Sequence, residues 1–185
     1  MSRIPTPPSI EDAPQESRAL LETVRKMLGL APNLFRMVAN SPAALEGYVG
    51  MLAALSKGTL PAATRERIAI AVAEANGCDY CLSAHAYLGK HVAKLDDAEM
   101  AANRRGVSND PQADAAVRFA RRVMELRGHV SDAELRAVRD AGYSHAQVVE
   151  IVQHVALNTW TNYLNLVADT DIDFPVIRAR DAVPA

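Results

Sequence analysis

The stretch NGCDYCLSAH, residues 76–85, holds both cysteines of the chain, Cys78 and Cys81, with His85 four residues beyond the second. Gly77 ends one helical pattern, which places Cys78 at or just before the first turn of the next, CDYCLSAHAYLGK. Residues three and four apart share a helix face, so Cys78, Cys81 and His85 can line one stripe. A helix N-terminus and a neighbouring imidazole both favour thiolate over thiol. A thiol of pKa about 8.5 is only roughly 3% ionised at pH 7, whereas one lowered to about 6.5 is roughly 75% ionised. A thiolate can attack the O–O bond of a peroxide and become a sulfenic acid. A second thiol within reach then condenses with it to a disulfide.

Other chemistries fit these residues less well. Zinc needs four ligands, and Cys-x-x-Cys with His85 supplies three; His91, six residues further, faces elsewhere on a helix. Inert buried thiols would not explain a pair set at a helix start beside a histidine. A thioredoxin-like site would need a βαβ context that the sequence lacks. Redox chemistry on a helical scaffold is the expectation. Which thiol attacks stays open at this level: the helix start favours Cys78, and the four-residue step to His85 favours Cys81.

A thiol site also needs somewhere to send its proton, and Glu66 and Glu74 precede the pair. Around Glu66 the helical neighbours are Ala62, Ala63, Ala69 and Ile70, so it lies on an apolar face while Arg65 and Arg67 point away. Glu74 is similarly unpartnered locally. It falls in the last turn of its helix, where a carboxylate opposes the helix dipole and is expected to lean into solvent.

The elements that must hold these residues are all helical. QESRALLETVRKML sets Leu20, Leu21, Val24 and Leu28 on one face and ends at Gly29. SPAALEGYVGMLAALSKG opens with Ser41 as N-cap and Pro42 at the first helical position. PAATRERIAIAVAEA starts after a proline and stops at Asn76-Gly77. DPQADAAVRFARRVMELRG repeats the Asp-Pro start and Gly stop, and Ser131 with Glu134 and Ser144 with Gln147 read as capping boxes. The last pattern, from Ser144, is interrupted by Gln153, His154, Asn158, Asn162 and Asn165, too polar for a membrane span. On it His154, Asn158, Asn162 and Asn165 form one stripe without a Lys, Glu or Arg; the readings are a polar exposed face or a contact between subunits. Alternating strands and hairpin turns are missing. The expectation is an all-α, single-domain helical bundle over residues 1–185, with 1–14 an extended arm, 15–176 the helical core and 177–185 a tail.

RERIAIAVAEANGCDYCLSAH resembles the core of alkylhydroperoxidase D-like proteins in the carboxymuconolactone decarboxylase superfamily. The shared pattern is a glutamate, eleven residues, then Cys-x-x-Cys-x-x-x-His, here Glu66, Cys78, Cys81 and His85. The likeness continues into NTWTNYLNLVADTDIDFP, typical of the peroxidase-related branch. The resemblance implies an all-α fold, thiol-dependent reduction of hydroperoxides and homo-oligomers, often trimers or multiples of them. It makes Cys81 the peroxide-reactive thiol and Cys78 the one that closes the disulfide, with Glu66 and His85 as a proton relay. It implies recycling by a thiol reductant, a dithiol cofactor or a redox protein. Decarboxylase members generally lack the cysteine pair, where this chain departs from them. A disulfide-exchange or redox-sensing module, and a decarboxylase or lactone-processing enzyme by superfamily analogy, are the competing functions.

Composition sets the outer bounds. Of 185 residues, 49% are hydrophobic and 23% charged, ordinary values for a globular chain. The formal charge of −2 comes without a clustered basic stripe, which argues against a nucleic-acid surface. The polar, Pro-rich start MSRIPTPPSIEDAPQ lacks the apolar stretch of a secretory signal, so a cytoplasmic location is expected. No bound cofactor, metal or membrane partner is expected from these residues.

Overall fold

The computed structural model describes residues 2–180. Among them the chain is all-helical: α1 (Gln15–Leu28), α2 (Asn33–Val38), α3 (Pro42–Ser56), α4 (Ala62–Ala75), α5 (Asp79–His91), α6 (Asp97–Arg104), α7 (Pro111–Glu125), α8 (Asp132–Asp140) and α9 (His145–Ala168). The chain forms two compact units, Met1–Lys57 with Leu164–Asp173, and Gly58–Tyr163 with Phe174–Ala185. Of the expected tail 177–185, residues 181–185 lie outside the described residues, as does Met1 of the expected arm.

In the first unit α1, α2 and α3 pack on one another. Leu21 and Val24 are buried as their spacing predicts, but Leu28 is exposed and Ser17 takes the next buried position. The burial is satisfied chemically: Ser17 Oγ donates to the Ala39 carbonyl at 2.7 Å. Ser41 caps α3 by accepting from Ala44 N, with Pro42 in the first turn. Residues 2–14 form no helix and are tied to α2, where Arg36 donates to the Pro7 carbonyl, and to Asn40, which donates to the Pro5 carbonyl.

The second unit is built around α4, which packs against α5, α6 and α7. Ile68, Ala69, Ile70, Ala71, Val72 and Ala73 are all buried, so this helix is covered on every side. A helix with apolar residues all round belongs in the middle of a bundle rather than on its surface. Ile68 and Val72 join Val117 and Ala120 of α7, Val138 of α8, and Ile151 and Val155 of α9 in one core cluster. The Ser131–Glu134 capping box starts α8, and Ser144 and Gln147 exchange reciprocal hydrogen bonds at the start of α9. No helix among the described residues is long and apolar enough to cross a membrane.

Candidate active site

The turn between α4 and α5 places the first thiol. Gly77 adopts a left-handed φ of 68°, which a side chain rarely tolerates. Gly77 N then donates to the Glu74 carbonyl at 3.1 Å and Cys78 N to the Ala73 carbonyl at 3.0 Å. These two bonds are the Schellman closure of a helix end. The same Cys78 is the N-cap of α5, its sulfur accepting from Cys81 N at 3.3 Å. One residue therefore closes one helix and opens the next.

The two sulfurs lie 2.7 Å apart without a disulfide between them, and the cysteines are 1% and 3% exposed. The hydrogen bond to Cys81, burial and the charge of Cys81 all push the Cys78 thiol up from its usual range. Position at the helix start favours Cys78 as the ionised thiol, whereas its burial and its contact with Cys81 act against that. Cys78 Sγ lies within hydrogen-bond distance of Cys81 Sγ, one turn inside the helix. A dipole effect of about 1 kcal/mol is smaller than the cost of burying an unpaired charge.

Glu66 in α4 and His85 in α5 meet directly, with His85 Nδ1 donating to Glu66 Oε2 at 2.9 Å. Both side chains are about one-fifth exposed, so Glu66 is only partly buried. Burial alone would lower the His85 pKa, but the charge and hydrogen bond of Glu66 outweigh it and the net shift is upward. The charge of Cys81 and the side-chain amide of Asn158 act in the same direction. This corner can hold a proton beside a thiol near neutral pH.

Glu74 behaves otherwise than its sequence position suggests. It is buried, not leaning into solvent, and accepts from Arg104 Nε of α6 at 2.6 Å and from Arg180 N at 3.0 Å. The local dipole is overridden by a charged partner from another helix. Glu74 belongs to a set of groups that pin residues 174–180 across the first turns of α5. Asp79 accepts from Ala179 N and Arg178, Ser83 Oγ accepts from Ile177 N, and Phe174 packs its ring against Tyr80 and Tyr87. His91 stands apart, its ring against Tyr87. No group of three or more His, Cys, Asp or Glu among the described residues could hold a metal ion.

The stripe on α9 is a further correction. His154, Asn158, Asn162 and Asn165 are buried within the chain, so they form neither an exposed face nor a surface for a second copy. Asn158 reaches the His85 imidazole, and Asn162 Oδ1 accepts from Asn76 Nδ2 at 2.9 Å. The signal was in the sequence, as four polar residues in register without a long charge; the helices they would meet were not.

A thiol pair, an imidazole and a carboxylate thus stand on adjoining helices of an all-α unit. Residues 42–125 match the carboxymuconolactone decarboxylase family. No curated protein matches the sequence. Among solved structures, the chain resembles an alkylhydroperoxidase AhpD core, a peroxidase-related protein from Ralstonia eutropha. The TM-score is 0.82 at 24% identity, over 93% of this chain and 92% of that one. A peroxidase-related protein from a Silicibacter species gives 0.78 at 21%, over 91% and 88%. The debrominase Bmp8 gives 0.76 at 22%, over 91% of each chain. A cysteine-to-alanine variant of Bmp8 has been solved in complex with 2,3,4-tribromopyrrole.

Proposed function

We propose that this chain is a thiol-dependent peroxidase that reduces hydroperoxides through Cys81 and Cys78, with Glu66 and His85 handling the proton. The observation that carries the reading is the juxtaposition of a buried thiol pair at the start of α5 with the hydrogen bond from His85 of the same helix to Glu66 of α4. In the first step the Cys81 thiolate attacks the outer oxygen of the hydroperoxide. The S–O bond forms, the O–O bond breaks, and the departing alkoxide takes the proton held by His85. Cys81 becomes a sulfenic acid and the product is an alcohol. Cys78 then attacks the sulfenic sulfur: the S–S bond forms, the S–O bond breaks, and the thiol proton leaves with hydroxide as water. An external thiol reductant, a dithiol cofactor or a redox protein, returns the disulfide to two thiols. The resemblance of the motif supports assembly into a homo-oligomer, a trimer or a multiple of it.

The likeness to a debrominase favours a second reading, reduction of a carbon–bromine bond by the same pair. There the thiolate takes the bromine, the carbon takes a proton, and Cys78 expels bromide as the disulfide closes. Steady-state assay with excess thiol reductant separates the readings. Continuous consumption of hydrogen peroxide or tert-butyl hydroperoxide, lost in Cys78→Ser and Cys81→Ser, is the expected outcome. Oxidation that stops after one equivalent would instead indicate a redox sensor or disulfide-exchange module. Bromide release without peroxide consumption would indicate the debrominase reading, and activity surviving loss of both thiols a decarboxylase type.

A further inference from the structure

Helix α9 sets four polar side chains four residues apart, Glu150, His154, Asn158 and Asn162, along one face. Three of them have a visible task. The Glu150 carboxylate accepts from Thr59 N at 3.0 Å and Leu60 N at 2.8 Å, at the turn before α4. Asn158 Nδ2 donates to the His154 carbonyl at 2.8 Å, which leaves its amide oxygen for His85. Asn162 meets Asn76 at the end of α4.

His154 is the exception. It is only 7% exposed, and its Nε2 has no hydrogen-bond partner among the described residues. An unpaired buried nitrogen costs stability, which a phenylalanine at this place would avoid. His154 lies one turn before Asn158, which bonds its carbonyl and reaches His85, so the ring is set beside the Glu66–His85 corner and feels the charges of Arg65, Glu150, Glu66 and His85.

We propose that His154 is a substrate-contacting residue of the thiol site, its Nε2 hydrogen bonding the oxygen of a small, uncharged hydroperoxide. The inference rests on the peroxidase reading for the identity of the ligand. Burial and Arg65 push the His154 pKa down, to about 4. The ring is therefore neutral at pH 7, with one N–H and one lone pair, and can hold an R–O–O–H group from either side without taking its proton. The two imidazoles divide the work: His85 moves a proton and His154 holds an oxygen.

The first arm of the test uses Cys81→Ser protein, which cannot react, labelled with 15N at histidine and titrated with tert-butyl hydroperoxide. The His154 ring resonance is expected to shift saturably while His129 and His145 stay in place; no shift at His154 would overturn the proposal. The second arm measures thiol oxidation by tert-butyl hydroperoxide and alkylation by iodoacetamide in His154→Phe and His154→Gln. The Phe variant is expected to oxidise about tenfold more slowly, the size of one lost hydrogen bond, with Gln restoring most of the rate. Alkylation should stay near the native rate in both, and its parallel loss would reduce His154 to a structural role. The two readings fail separately. A protein that consumes no peroxide yet shows the shift retains this site and loses the proposed reaction, whereas turnover without the shift does the reverse.

Discussion

Cys78 and Cys81 are chemically unequal although three residues separate them. The backbone makes the difference: Cys78 is fixed by its N–H to Ala73 and by its sulfur on Cys81 N, whereas Cys81 stands one turn before His85. Sequence spacing brought the Glu66, Cys78, Cys81 and His85 set into view, because helix periodicity alone aligns the last three. It could not weigh burial against the dipole at Cys78, and it sent Glu74 to solvent, where the structure buries it. The pair of glutamates now separates by experiment. In Glu66→Gln the His85 ring loses the charge that raises it while burial still lowers it, so its NMR titration midpoint should fall. A histidine raised on folding adds stability that is full below about pH 6.5 and lost as pH rises through its folded value, so that contribution disappears in the variant. Peroxide turnover should drop at least tenfold, about 1.4 kcal/mol of barrier. Glu74→Gln should lower the melting temperature by unpairing Arg104 and leave turnover of the folded protein close to native.

At the scale of elements, the helices that announced themselves are those with punctuation the backbone needs. Ser41-Pro42, Asp110-Pro111, Ser131 with Glu134 and Asn76-Gly77 all mark helix ends where the sequence places them. Helix α2 carried no such mark; α6 did, in Asp96, whose side chain accepts from Glu99 N. Pro32 caps α2 without a side-chain bond, and α6 turns a polar face inward, with Glu99 and Asn103 buried. A search for apolar periodicity passes over such a helix, because its inward residues are held by hydrogen bonds rather than by hydrophobic burial. Glu99 accepts from Arg67 of α4 at 2.7 Å, from Asn103 and Ser108, and from Asn109 N, which fixes α6 and the loop after it to the central helix. Burial opposes its charge, but these bonds prevail and hold its pKa down to about 2. Its contribution to stability is present above the usual carboxylate range and lost as pH falls through about 2. Glu99→Gln should cost about 3–5 kcal/mol in denaturant unfolding at pH 7, since it leaves Arg67 buried without a countercharge. The same variant should flatten the acid limb of the stability curve below about pH 4.5.

For the whole molecule, a single chain's sequence pointed to the fold class but not to which helix faces are spoken for. The interior claims the Asn stripe of α9 that seemed available to a second copy. What α9 exposes instead is apolar: Val149, Val152 and Tyr163 stand 65%, 43% and 57% exposed. If the chain assembles as its family resemblance implies, Val152→Glu with Tyr163→Glu should give a smaller species by light scattering, whereas an unchanged mass would remove this face from the contact. Assembly, however, is secondary to the claim that Cys81 meets the peroxide and Cys78 resolves it. The most direct measurement treats Cys78→Ser and Cys81→Ser proteins with one equivalent of hydroperoxide in the presence of dimedone and locates the adduct by mass spectrometry. A stable dimedone adduct is expected on Cys81 of the Cys78→Ser protein and none on the Cys81→Ser protein. An adduct on Cys78 of the Cys81→Ser protein, with Cys81 unmodified in its counterpart, would contradict it.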